Sequence, residues 1–156
     1  MKKSVFIILI ITTVVASCKN TEKKEKNSIS EEPVQAQVDA ILSTQWMNDI
    51  QLNDGSKWEA NIETTEGVIK MQKLIKTQTT TTIEDFHFLA NNLNEVKNKV
   101  VKECTMKGAS HDNLHIWLYP LIEKVTALTE TNDISDASKI KQSIVENLNA
   151  YSDYFE

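Results

Sequence analysis

Apolar residues recur every three or four positions in four separate stretches of the chain, and no stretch alternates apolar with polar as a half-buried strand does. The clearest stretch is Phe86, Leu89, Leu93, Val96, Val100 and Cys104, which share one face of a helix. Thr82 suits its N-cap, with Asp85 three residues on as an acidic first-turn partner. Lys107-Gly108-Ala109 suits its end, with Gly108 supplying a left-handed stop. A second stripe, Leu114, Leu118, Leu121, Val125 and Leu128, follows Ser110 as a candidate cap; Pro120 falls inside it and predicts a kink or a late start. A third, Ile140, Ile144, Leu148, Tyr151 and Phe155, follows the turn Thr131-Asn132-Asp133, with Ser135 as its cap. Upstream, a helix from Lys57 to about Lys76 would carry Trp58, Ile62, Ile69 and Leu74, with Val68, Met71 and Ile75 beside them. Gly67 weakens that helix locally, and the threonine run 77–82 reads as the connection to the next.

Four amphipathic helices with short links predict an all-α fold, an antiparallel up-down-up-down four-helix bundle over residues 57–156 with Leu93 and Leu118 in its core. A short extra N-terminal helix precedes it: after Pro33, Val34, Val38, Ile41 and Leu42 recur at helical spacing over about 34–46, and Asn53-Asp54-Gly55-Ser56 reads as a turn. Residues 34–56 thus form a helix-and-turn lead-in.

The first residues follow another logic. Lys2 and Lys3 precede an eleven-residue apolar run, Val5 to Val15, too short to cross ~30 Å of hydrocarbon as a helix. The run ends in Val15-Ala16-Ser17-Cys18, which resembles the lipobox of bacterial lipoproteins. That resemblance implies an export signal over 1–17 and a lipid on Cys18, whose acyl chains each contribute roughly 0.8 kcal/mol per buried methylene to anchoring. Residues 18–33, in which KNTEKKEKNSISEE and Pro33 follow Cys18, hold many charges and one apolar side chain, Ile29; they read as a disordered tether. The expected location is the cell envelope, lipid-anchored to the inner or outer membrane and facing the periplasm.

The formal charge of the whole chain is −5, and loss of Lys2 and Lys3 would take it to −7. With no basic stripe, that acidity argues against a nucleic-acid partner and against a polybasic contact with acidic lipid. Lipidation of Cys18 would leave Cys104 as the one free thiol. In an oxidising compartment an unpaired cysteine is unusual.

Cys104 opens the most chemically dense stretch, Cys104-Thr105-Met106-Lys107-Gly108-Ala109-Ser110-His111-Asp112-Asn113-Leu114-His115. It crosses the hairpin between the second and third bundle helices. His111 and His115 are four apart and share a helix face, and a tight turn would bring Cys104, Met106, His111 and His115 to one end of the bundle. Thiolate, thioether and imidazole together suit copper as Cu(I); zinc would accept the cysteine and histidines but gains little from a thioether. The plainer alternative makes Cys104 a small core residue, Met106 a gap filler and the histidines capping or packing groups, leaving a structural lipoprotein that docks on another envelope protein. Enzymatic signatures are missing: there is no phosphate-binding glycine loop and no G-x-S-x-G, and Cys104 has no identifiable partner to orient a His111 base. Covalent haem attachment is not encoded, and non-covalent haem needs a wider cavity than these stripes suggest. Trp46, Trp58, Trp117, Tyr119, Tyr151 and Tyr154 read as core and rim.

The phrases Leu52-Asn53-Asp54-Gly55-Ser56-Lys57-Trp58, Thr64-Thr65-Glu66-Gly67, Cys104-Thr105-Met106-Lys107-Gly108 and His111-Asp112-Asn113-Leu114-His115 resemble those of small uncharacterised lipoproteins of Bacteroidetes-type bacteria, over roughly residues 50–156. Methionine- and histidine-rich tethers in that group would imply copper; the tether of this chain contains neither residue.

Overall fold

The four amphipathic stretches form four helices in the computed structural model, which describes residues 38–156: α1 (Ile62–Thr77), α2 (Ile83–Glu103), α3 (Ala109–Glu130) and α4 (Ile134–Tyr154). The expected export signal, Cys18, the tether and the start of the 34–46 helix lie outside the described residues. Each helix packs on its neighbours in sequence and α1 returns to α4, which makes the predicted antiparallel four-helix bundle. Its core is one continuous apolar cluster that includes Leu93 and Leu118. Among the described residues, no helix is long and apolar enough to cross a membrane.

Local signals account for several boundaries. Thr82 Oγ1 accepts from Asp85 N–H, and the Asp85 carboxylate accepts in return from the backbone of Thr81 and Thr82, so the capping box forms as predicted. Those backbone N–H groups, with the Thr81 hydroxyl, lower the Asp85 carboxyl to about 2. Asp54 and Gly55 both take positive φ, and Asn53 and Ser56 exchange two backbone hydrogen bonds, so the Asn-Asp-Gly-Ser turn is of the I′ kind.

Other boundaries move. The N-terminal helical turn covers residues 38–41 and a separate 3-10 turn covers Gln45–Asn48, in place of one helix to 46. α1 begins at Ile62, capped by Asn61, so Trp58 lies on an extended segment and not on the helix. Trp58 pairs there with the chain end: Trp58 N–H donates to Tyr154 O, Glu156 N–H to Trp58 O, and Ala60 N–H to Glu156 O. The buried face of α1 is consequently Thr64, Val68, Met71 and Ile75, while Ile62 and Ile69 are exposed. α2 ends at Glu103 with Cys104 extended, and Gly108, at φ +62°, starts α3 where it was expected to stop α2. Ser110 therefore lies inside α3, donating to Lys107 O. α3 runs through Pro120 without a break. α4 is capped by Asp133, whose carboxylate accepts from Asp136 N–H at 2.9 Å, two residues before the expected Ser135.

Candidate metal centre at the helical hairpin

The end of the bundle that carries the hairpin is tied down from three directions. Asn61 Nδ2 donates to Glu103 O, joining the start of α1 to the end of α2. Trp58 Nε1 donates to Gln51 O at 2.7 Å, and Gln51 N–H donates to Asn113 Oδ1 at 2.7 Å. Asn113 in turn donates to Ala109 O within the first turn of α3. Asn113, between His111 and His115, is thus fixed to Gln51 and through Gln51 to Trp58.

On this braced turn His111 and His115 are half-buried and meet: their Nε2 atoms lie 3.1 Å apart and their ring centroids 4.3 Å apart. At that distance one Nε2–H donates to the lone pair of the other ring. Tyr119, one turn further and exposed, places its ring edge-on to His115 at 4.9 Å. The i, i+4 spacing alone brings these rings together, because α3 is regular here. The first-turn position is not neutral for a cation: the positive end of the helix dipole costs roughly 0.3–1 kcal/mol at such a site.

Cys104 and Met106 lie in the link between α2 and α3. Both are half-buried and pack against the apolar core. Burial raises the Tyr151 phenol of α4 above its ordinary range, opposed by its hydrogen bond with Thr65, and Cys104 adds a smaller electrostatic push in the same direction. Among the described residues no group of three or more His, Cys, Asp or Glu is placed to hold a metal ion, so Cys104 is not joined with the two histidines in such a group. Between the two helices, Cys104 takes an extended backbone conformation and residues 104–107 form a non-helical link. The third histidine, His87, is engaged at the far end of the bundle, where its Nε2–H donates to Thr131 O at 2.7 Å.

One polar cluster went unnoticed in the sequence pattern. Lys124 is 1 % exposed, deep between α3 and α4, and its Nζ donates to Asn147 Oδ1 at 2.9 Å. Asn147 Nδ2 donates to Trp117 O, and Trp117 Nε1 donates to Asn147 O. A lysine one turn from Leu121 and Leu128, facing an asparagine beside Ile144 and Leu148, was the available signal. Burial pushes the Lys124 ammonium down to about 8, against the pull of Glu146 and Glu123. This cluster joins two helices and is closed to solvent, which suits it to structure.

No protein-family model, no curated protein and no solved structure matches this chain.

Proposed function

We propose that this chain is a lipid-anchored envelope protein that binds a transition-metal ion at the hairpin end of its bundle, to sequester or deliver it, and catalyses no reaction itself. The observation that carries the metal part is the 3.1 Å Nε2–Nε2 separation of His111 and His115 on a braced helical turn. Two imidazoles already in contact lose little freedom on binding a shared ion, and imidazole suits copper, zinc and nickel alike. The anchor rests on the short apolar run ending in Val-Ala-Ser-Cys18. The membrane, through that lipid, and a metal ion are the partners; the negative charge argues against nucleic acid.

Replacing Cys18 with Ala should block processing and move the protein out of the membrane fraction; unchanged fractionation would remove the anchor from the proposal. Metal binding to the folded state raises the melting temperature, by about 2.7 kcal/mol of stabilisation at a hundredfold excess over the dissociation constant. Thermal unfolding of the full-length chain with copper, nickel or zinc salts should show such a rise, and His111→Gln with His115→Gln should abolish it. If the double variant responds to metal as the parent does, the site is elsewhere. If neither responds, the bundle is a structural or docking module.

A further inference from the structure

Resting on that metal-binding reading, we infer that His111 and His115 are the only protein ligands in the hairpin, that the ion they take is divalent with Cu(II) held most tightly, and that Cys104 takes no part. The angle at the ion argues against a linear two-coordinate site. With metal–nitrogen bonds of ~2.0–2.1 Å, nitrogens 3.1 Å apart subtend about 95–100° at the ion. That lies between the 90° or so of a square plane and the ~109° of a tetrahedron, the geometries of Cu(II), Ni(II) and Zn(II). Two-coordinate Cu(I) draws its ligands to opposite sides and would hold the same nitrogens about 4 Å apart at bonds of that length. Among divalent first-row ions, a nitrogen pair prefers copper.

The soft donors that would favour Cu(I) are committed to the core. Cys104 follows the last residue of α2 and Met106 lies in the link beyond it, both half-buried and packed against the apolar core. With no third His, Cys, Asp or Glu joining the pair among the described residues, the bound ion keeps at least two positions for water or for a donor from another molecule. An open site of this kind suits exchange more than storage. On binding, both Nε2 lone pairs turn to the ion, so the ring that donated Nε2–H carries its proton on Nδ1 instead. Neutral rings release no proton in that step.

The test titrates the full-length chain with copper sulfate, nickel chloride and zinc chloride in air, and with Cu(I) under anaerobic reduction against a chromogenic Cu(I) chelator. Cu(II) should bind one ion per chain, most tightly of the four, with nitrogen hyperfine structure from two imidazoles in its electron paramagnetic resonance spectrum. His111→Gln or His115→Gln should each weaken it at least about tenfold, the lower end of the loss seen when a metal site loses even a supporting partner. Cys104→Ala should leave Cu(II) affinity and spectrum unchanged. Tighter binding of Cu(I), abolished by Cys104→Ala, would overturn this inference while sparing the metal-binding reading. Failure to bind any of the four ions would end both.

Discussion

Asn147→Ala is expected to lower the unfolding free energy by about 3–5 kcal/mol, the range seen when one partner of a buried charge is removed. The Asn147 side chain is fully buried and supplies the Lys124 ammonium with its acceptor and Trp117 O with a donor. Alanine leaves the buried Lys124 cation without its hydrogen-bond acceptor, deep between two helices. Lys124→Met removes the cation itself and should cost far less. The two variants also differ from the parent in pH dependence. The Lys124 ammonium loses its proton at about 8 in the folded protein, against 10.5 for an ordinary lysine. Between those values the unfolded chain binds more protons than the folded one, so parent stability rises with pH across that window. The cost of the buried ammonium is present in full below about 8 and is relieved by 10.5; the shift bounds it at roughly 3 kcal/mol. Urea unfolding from pH 7 to 10 should show this rise in the parent and lack it in Lys124→Met. Parallel curves for the two would mean that Lys124 is solvated and that the cluster is not the buried joint described.

Gly67→Ala is expected to destabilise the bundle by about 1–3 kcal/mol, although alanine is the better helix former by about 1 kcal/mol. A Cβ at residue 67 would overlap Val100 Cγ2 and sit 3.6 Å from Val100 Cβ, with Val96 close behind. Valine is stiff at χ1 in a helix, so the methyl group cannot swing away cheaply. α1 and α2 would have to separate, loosening Val68, Met71 and Val96 along the same contact. Val100→Ala makes room for the new methyl group. A double-mutant cycle on Gly67→Ala and Val100→Ala should therefore show the pair less destabilised than the sum of the two single changes. Additive effects would place the helices further apart at this crossing than the structure has them.

What the sequence pattern discloses about this fold is what local chemistry decides. The stripe Phe86 to Val100 and the Thr82–Asp85 box need only their own helix, and both are where the pattern predicts them. The I′ turn at Asp54-Gly55 is equally local. α1 is different. Trp58 and Ile62 have helical spacing, but Trp58 is held in an extended segment by residues 154–156, at the opposite end of the chain, and nothing near Trp58 announces that pairing. The choice between Ile69 and Thr64 as the buried side of α1 likewise belongs to its neighbours α2 and α4. Gly108 is correctly marked as a left-handed position, but such a glycine can end one helix or begin the next, and here it begins α3. Asp133 and Ser135 are both good caps two residues apart, and only the backbone path selects Asp133.

The candidate site divides along the same line. His111 and His115 meet because one regular helix turn makes them meet. Cys104 was drawn to them only by assuming a tight turn, and among the described residues it joins them in no group of three or more His, Cys, Asp or Glu placed to hold a metal ion. Asn113, which holds the histidine turn to Gln51, lies between the two histidines with no local sign that its partner is 62 residues away.

The most direct test of the central claim is anomalous diffraction from crystals of the full-length chain grown with copper sulfate. A single copper peak about 2.0–2.1 Å from both His111 Nε2 and His115 Nε2 is the predicted result. A peak on Cys104 Sγ away from the imidazoles, or no peak at the hairpin, would contradict it.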